Sequence, residues 1–498
     1  MNISNGIITE KSIEKKLFVT ENYNSDFMLP DYLGNISKII RCSVDPGVES
    51  TFISDNKINI NGELHITLLY VTDENILQSY ENTIKYSKYV TADNIDSNVC
   101  VFIDQEVVSE NFRALGPKRI NVNGIIEIKA VYDMISKTEY IEDIKSFGIQ
   151  LKRAEKGIFI ITHRSDRTIK LCEQINTHNK ISFILHKEIF VEITETKTIK
   201  DKTHISGRYR LSILYIDDNG DIKTFENILP FTEIIDTYSS LDEDDCFIGN
   251  IKTNLNLSID KNTADNNIID IKTDIFFSVS CGHYNKISLL EDAYSLENDL
   301  EIKREEVSFI ERVSLKNQTF KVNITPDLFN NEIVNEVYLN KMRFAFEHKE
   351  DKTKLLFDCN CCSLSVSEGH YKVNERRYAV DGFLISEDTN NYYELKSIMV
   401  SSPKPLHGTD YSGGAVFEIS VDYFEFNICK AEVFTNIEDC KEALSDKTSK
   451  MVVYFAHENE CLWDIAKENR TTVDALKNIN GLENDTICSS TMLVFPVF

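Results

Sequence analysis

The stretch Lys57-Ile58-Asn59-Ile60-Asn61-Gly62-Glu63-Leu64-His65-Ile66-Thr67-Leu68-Leu69-Tyr70-Val71 decides the architecture of the chain. Ile58, Ile60, Leu64, Ile66, Leu68 and Tyr70 share one parity, while Lys57, Asn59, Asn61, Glu63, His65 and Thr67 take the other. A period of two marks a strand with one face in a core and the other toward water. Gly62 interrupts the run, which in a strand predicts a bulge or bend. Turn chemistry follows at Thr72 to Asn75, then a second run carrying Tyr80 and Tyr86, so the stretch reads as a hairpin.

The pattern returns without a gap at an offset of 145, where Lys57 to Tyr86 lies on Lys202 to Phe231. Eight of those thirty pairs are identical, among them Gly62/Gly207, Leu69/Leu214 and Tyr70/Tyr215, where unrelated sequences would share roughly two. Tyr80/Phe225, Ile84/Leu229 and Tyr86/Phe231 exchange like for like, as a shared packing site requires. The second copy keeps its buried parity in Thr203, Ile205, Tyr209, Leu211, Ile213 and Tyr215, and turns at Asp217-Asp218-Asn219-Gly220. Another alternating strand closes each copy, Ile120 to Tyr132 in one and Ile271 to Val279 in the other. A divergent third copy is expected, with Tyr378, Val380, Gly382 and Leu384 as its Gly-centred strand, Tyr393-Glu394 in its return strand and Phe417 to Tyr423 as its closing strand.

Met28-Leu29-Pro30-Asp31-Tyr32-Leu33, then Ile36 to Ile40, then the strand ending Leu68-Leu69-Tyr70-Val71, resembles the SPOCS domain of spore coat proteins from spore-forming Firmicutes. The resemblance covers residues 28–134 and, through the repeat, 183–281.

The last fifty residues read differently. Val452 to Phe455 is a short strand, Leu462, Ile465 and Ala466 recur at helical spacing, Val473, Leu476 and Ile479 do so again, and Met492 to Phe495 closes the segment. Thr471, three residues before Asp474, is the expected cap of the second helix, and Asn480-Gly481 its stop. This order resembles the LysM domain through Tyr454, Leu462-Trp463-Asp464-Ile465-Ala466, Val473, Leu476, Asn480, Leu482, Leu493 and Pro496. Where that family opens its first helix with Gly-Asp-Thr, this chain has Asn459-Glu460-Cys461, and where it has a Pro-Gly-Gln type turn, this chain has Ser489-Ser490-Thr491. Those loops line the groove in which LysM domains hold N-acetylglucosamine polymers. Acidic residues also outnumber basic ones from His457 to Asp485, so a protein-binding reading gains over a glycan-binding one.

The expected fold is therefore mainly β: repeated SPOCS-type domains followed by a small α+β (βααβ) LysM-like domain. The expected division is an N-terminal segment 1–27, SPOCS-type domains at 28–136 and 183–295 around a connector 137–182, a divergent β domain at 310–430, a linker 431–450, and the LysM-like domain at 451–498. Candidate binding residues are Asn459, Cys461, Leu462, Trp463, Lys467, Asn484, Thr486 and Ile487. Trp463, the only tryptophan in the chain, suits a packing role and an interface anchor equally well.

Composition narrows the function. Against 54 Lys and Arg stand 80 Asp and Glu in 498 residues, and a formal charge of −26 repels phosphate backbones and anionic bilayers. No apolar run reaches the roughly 18 residues of a membrane helix, and the first thirty residues hold no signal-peptide core, so a cytosolic start is expected. The 12 Cys lack paired spacing, which points to reduced thiols. Cys359, Cys361 and Cys362 do not make the Cys-x-x-Cys of a zinc site and fit buried strand positions better. Asp217 to Asp221 is read as a hairpin turn and not a calcium loop, since Ile222 stands where the tight Gly would be needed. With no phosphate-binding loop, nucleophile elbow or paired-His motif, no enzyme and no cofactor is expected.

The two resemblances together imply a spore coat morphogenetic scaffold in the mother-cell cytoplasm, at the forespore surface. Its LysM-like domain would dock to a coat-basement ATPase of the SpoIVA-like kind, with other coat proteins as further partners. The alternative is a peptidoglycan-binding cortex or cell-wall protein that uses the same domain on N-acetylglucosamine polymers.

Overall fold

The computed structural model describes residues 2–9, 13–93, 95, 99–134, 137–177, 179–242, 244–259, 268–325, 334–349, 352–367, 370–387, 391–408, 410–440 and 452–495. After a short strand β1 (Asn2–Thr9), the chain builds one six-stranded unit three times. Unit 1 holds β2 (Ile13–Met28), β3 (Ile36–Ser54), β4 (Lys57–Thr72), β5 (Leu77–Thr91), β6 (Val101–Ala114) and β7 (Arg119–Met134). Strand β8 (Lys137–Lys145) leads to unit 2, made of β9 (Ile149–Asn176), β10 (Ile181–Ile199), β11 (Lys202–Asp217), β12 (Ile222–Asp236), β13 (Asp245–Ile259) and β14 (Ile268–Ser295). Unit 3 holds β15 (Asp299–Ile324), β16 (Glu336–Lys349), β17 (Lys352–Ser367), β18 (His370–Ser386), β19 (Tyr392–Val400), the two-residue β20 (Lys404–Pro405) and β21 (Ala415–Cys440).

All three units share one antiparallel topology. Sheet β3-β4-β5 faces β2-β7-β6, sheet β10-β11-β12 faces β13-β14-β9, and sheet β16-β17-β18 faces β15-β21-β19. The inward parity of β4 supplies Ile58, Ile60, Leu64, Ile66, Leu68 and Tyr70 to the core of unit 1, all at 0 or 1% exposure. Ile205, Tyr209, Leu211 and Ile213 do the same in unit 2. Tyr70 and Tyr215 point into equivalent cores.

The duplication extends to the irregularities. Breaks in the β3–β4 register at Ile36/Lys38, Ile39/Arg41 and Val48/Ser50 recur in β10–β11 at Ile181/Phe183, Ile184/His186 and Ile193/Glu195, each 145 residues on. The hairpin turns match as well. Asn75 and Gly220 occupy the same left-handed position, at φ 60° and 84°, and Asn75 N–H and Gly220 N–H donate to Thr72 and Asp217 carbonyls. Asp217 spends its carboxylate on the Asn219 and Asp221 backbone N–H groups, both at 2.9 Å.

Gly62 and Gly207 are not themselves the bulged residues. The extra residue sits on the partner strand, opposite the glycine, and the glycine makes room for an aromatic ring from the other neighbour. Gly62 pairs with Tyr86 and Gly207 with Phe231. A Cβ on Gly62 would lie 2.3 Å from the Tyr86 hydroxyl and 2.7 Å from the Gly47 carbonyl; one on Gly207 would lie 2.5 Å from the Phe231 ring. Conserving an aromatic at 86 and 231 is thus the other half of conserving the glycine.

The third unit has the expected kind of topology but a different strand assignment. Tyr378, Val380 and Gly382 lie in β18, the fourth strand, and Gly382 adopts φ 69° beside a register break. The third strand is β17, whose inward face is Leu355, Phe357, Cys359 and Cys361. Tyr393 lies in β19, the fifth strand. The misreading arose because β17 carries thiols where the other copies carry aliphatic side chains and a glycine. Cys359, Cys361 and Cys362 are all buried, and burial pushes the Cys359 thiol up to about 12.

The segment read as a connector, 137–182, holds β8, all of β9 and the start of β10, and the N-terminal segment 1–27 supplies β1 and most of β2. Strand β8 and the first half of β9 extend past the sandwiches. The first half of β9 pairs with the last half of β14, the first half of β15 with the last half of β21, and β1 with β8, giving three ribbons. Their inner faces meet: Ile8 and Tyr140, Ile158 and Leu289, and Val307, Phe309 and Val433 form one cluster. Ile141, Ile144, Leu290, Ala293, Phe434 and Ile437 form the next. Of the expected linker 431–450, residues 431–440 continue β21 and the rest lie outside the described residues.

The units meet around a shared apolar plug. Leu69, Val71 and Leu77 of unit 1, Leu185, Leu214 and Ile216 of unit 2, and Leu364 of unit 3 are buried together. This explains the unbroken apolar run Leu68-Leu69-Tyr70-Val71: one parity fills the unit's own sandwich and the other fills the junction. Ion pairs flank the plug, Lys187–Glu81 at 2.9 Å and Lys252–Asp104 at 2.9 Å between units 2 and 1, and Lys341–Glu110 at 3.2 Å between units 3 and 1.

Candidate binding site

The last module is β22 (Val452–Ala456), α1 (Leu462–Glu468), α2 (Val473–Asn480) and β23 (Thr491–Phe495), with β22 and β23 paired antiparallel. Its core is Ala456, Leu462, Ile465, Ala466, Leu476, Ile487, Leu493 and Phe495. Thr472, not Thr471, caps α2, its hydroxyl accepting from Ala475 N–H at 3.0 Å. Thr471 is instead buried, with its carbonyl turned to a neighbouring strand. Gly481 ends α2 at φ 65°, and the Asn480 amide ties the helix to β23 through both N–H and C=O of Val494.

The loop that replaces the family's Gly-Asp-Thr closes onto residues 485–487, just ahead of Ser489-Ser490-Thr491. Asn459 N–H donates to the Ile487 carbonyl at 2.8 Å, Ile487 N–H to Glu460 at 2.9 Å, and Leu462 N–H to Asp485 at 2.8 Å, with a bridge between Cys461 and Thr486. Asn459 takes φ 70°, a position that asparagine tolerates without glycine. Cys461 precedes α1 without capping it, and the Glu460 carboxylate turns back to His457 N–H and the Tyr454 hydroxyl.

The eight candidate residues fall into three places. Asn459, Asn484 and Thr486 are exposed on the groove loops, with Cys461 partly covered between them. Leu462 and Ile487, at 0 and 2% exposure, belong to the core, because they follow the loop residues by the one step that turns a side chain inward. Their side chains offer nothing to a partner.

Trp463 and Lys467 face the body of the chain. The Trp463 indole N–H donates to Asp292 at 2.8 Å, and its ring meets the Tyr294 ring edge to face, centroids 4.9 Å apart. Lys467 Nζ lies 2.7 Å from the same Asp292 carboxylate. Tyr294, 6% exposed, is counted into the module's core and donates its hydroxyl to the Thr471 carbonyl at 2.7 Å. Arg470 completes the contact on the Glu297 carbonyl at 3.0 Å and on Asp299 at 2.5 Å. Burial alone would raise the Asp292 carboxyl, but the hydrogen bonds from Lys467 and Trp463 more than offset it and hold the group below the usual carboxylate range. Sequence reasoning missed Arg470, although Trp463, Lys467 and Arg470 stand at the 4- and 3-residue spacing of one helical face.

A second surface was also missed. Val453, Phe455 and Met492 are 52, 61 and 64% exposed on the outer parity of β22 and β23. The signal was present in Val452-Val453-Tyr454-Phe455-Ala456, which is apolar at both parities where a half-buried strand alternates.

Three like β-sandwich units and a terminal βααβ module define a β-repeat protein with a LysM-like end. The family model described as the SipL, SPOCS domain matches residues 35–115 and 180–264, and the LysM model matches 458–496, so the chain carries the SPOCS domain twice and a LysM domain at its end. Each SPOCS match spans the second to fifth strands of its unit, β3 to β6 and β10 to β13. These domains mark a protein related to the spore coat, both families are non-catalytic, and LysM domains bind glycan or protein partners. No curated protein and no solved structure matches the chain. Among the described residues no helix is long and apolar enough to cross a membrane, and no group of three or more His, Cys, Asp or Glu could hold a metal ion.

Proposed function

We propose that this chain is a non-enzymatic morphogenetic scaffold of the spore coat, similar to the clostridial coat protein SipL, at the forespore surface in the mother cell. Its body presents the LysM module to a coat-basement ATPase of the SpoIVA-like kind. The observation that carries protein docking is the outer face of β22 and β23, where Val453, Phe455 and Met492 stand exposed on a module of one small core. Aromatic and Met side chains are enriched where proteins bind proteins, and a cluster of exposed apolar groups calls for a cover. The exposed groove residues Asn459, Asn484 and Thr486 add polar contacts at the loop end of the same strand. Trp463 and Lys467, held by Asp292, set the direction in which the module faces.

The polar character of those same groove residues favours the second reading, peptidoglycan binding. The test is co-sedimentation of the full chain with insoluble peptidoglycan, with chitin oligomers as competitor. Protein docking predicts negligible sedimentation. Sedimentation that chitin oligomers compete away would replace it with the glycan reading.

A further inference from the structure

We propose that Cys246 and Cys281 are a disulfide-forming pair, which staples the fifth strand of unit 2 to the sixth when the chain meets a peroxide. Cys246 in β13 and Cys281 in β14 are direct partners in antiparallel register. Residues so placed have Cα atoms roughly 4.5–5.5 Å apart, inside the span a disulfide bridges. Their sulfurs are 2.9 Å apart, and closure to the bond length of about 2.05 Å needs less than one ångström. Cys359 and Cys361 have no such relation, since they lie two apart on one strand, and Cys362 projects from its other face.

The surroundings suit the chemistry. Cys281 is fully buried while Cys246 is partly exposed, so an oxidant reaches Cys246 first. Thr203 Oγ1 lies 3.8 Å from Cys281 Sγ and joins a row of hydroxyls, Thr198 at 3.3 Å and Thr237 at 3.1 Å, that can take up a proton hydrogen bond as the sulfur changes state. The Cys281 thiol donates to the Cys246 sulfur, so one proton is held between the pair.

With that proton on Cys281, the Cys246 thiolate attacks one oxygen of hydrogen peroxide. The O–O bond breaks, hydroxide leaves, and Cys246 becomes a sulfenic acid. Cys281 gives its proton to the hydroxide, making water, and its thiolate attacks the Cys246 sulfur. The S–O bond breaks, and the second hydroxide takes the proton that Cys246 first released to solvent. Two thiols lose two electrons and two protons, and one peroxide becomes two waters.

The experiment treats the full chain with one equivalent of hydrogen peroxide, blocks remaining thiols with an alkylating agent and maps the peptides by mass. The expected product is a Cys246–Cys281 linked peptide, 2 Da lighter than the two reduced peptides together, formed before the exposed Cys172 and Cys488 are consumed. The thermal midpoint should rise by several degrees, because the bond closes a long loop of the unfolded chain. Cys246→Ser should lose both effects and Cys172→Ser should keep both. Alkylation of Cys246 and Cys281 as free thiols after Cys172 and Cys488 have been oxidised would overturn the assignment, and so would a link from either residue to any other cysteine. Peptide mapping of the unsubstituted chain decides the matter even if a serine variant does not fold.

Discussion

A single position in β4 or β11 shows how much of the fold rests on parity. Leu68 and Ile213 are at 0% exposure, while their neighbours Thr67 and Ser212 are partly exposed. Leu68→Asp or Ile213→Asp buries an unpaired carboxylate at a cost of several kcal/mol, enough to unfold the unit. Thr67→Asp and Ser212→Asp should leave the thermal melt within a few degrees of the parent, and equal damage at both parities would contradict the assignment. Gly62→Ala is the finer probe. Its methyl would press on the Tyr86 hydroxyl and the Gly47 carbonyl, an overpacking of about 1–3 kcal/mol in urea denaturation. Val44→Ala, on the neighbouring strand, loses buried methyl groups instead.

Among the elements, α1 and the end of β14 form the joint that orients the module. Trp463→Ala removes an aromatic anchor from that joint, and hydrogen exchange should quicken around Tyr294 while the β22–β23 pairing stays protected. Tyr294→Phe loses one hydrogen bond to the Thr471 carbonyl and should cost about 1 kcal/mol. The joint also responds to acid. The Asp292 carboxyl titrates below its free value, so its stabilising contribution is complete above the unfolded-state pKa, about 3.9, and is lost as pH falls through the lower folded value. The fluorescence of Trp463, the only tryptophan of the chain, whose indole donates to Asp292, should therefore be unchanged between pH 7 and pH 5 and should shift only in stronger acid. Asp292→Asn should give the shifted spectrum already at pH 7. A spectrum unaltered by the Asn variant would show that the aromatic contact alone holds the joint.

Much of this was legible in the sequence. The alternation in 57–71 and its recurrence at 202–216 gave strands, facing parity and duplication, since each depends only on local pattern. Gly62 was read as a bend because the ring it shelters, Tyr86, lies on the next strand, and cross-strand register is not written in a local run. The third unit was shifted by one strand for the same reason: Gly382 looked like Gly62, yet its positive φ serves a register break in β18. In the module, helical spacing found the core but could not say which face of α1 would meet the body. Trp463 and Lys467 were accordingly placed together with Asn459 and Thr486, from which the fold separates them.

At the scale of the whole molecule, three like units close around the plug of Leu69, Leu214 and Leu364, and three ribbons carry the module away from it. Such a body sets the position from which the module reaches a partner. The decisive measurement is equilibrium binding of the purified full chain to the purified coat-basement ATPase, beside Phe455→Glu and a chain ending at Cys440. Docking through the outer face predicts saturable binding by the full chain, loss of roughly tenfold or more in affinity for Phe455→Glu as for a buried aromatic anchor, and none for the shortened chain. Undiminished binding by the chain ending at Cys440 would contradict it.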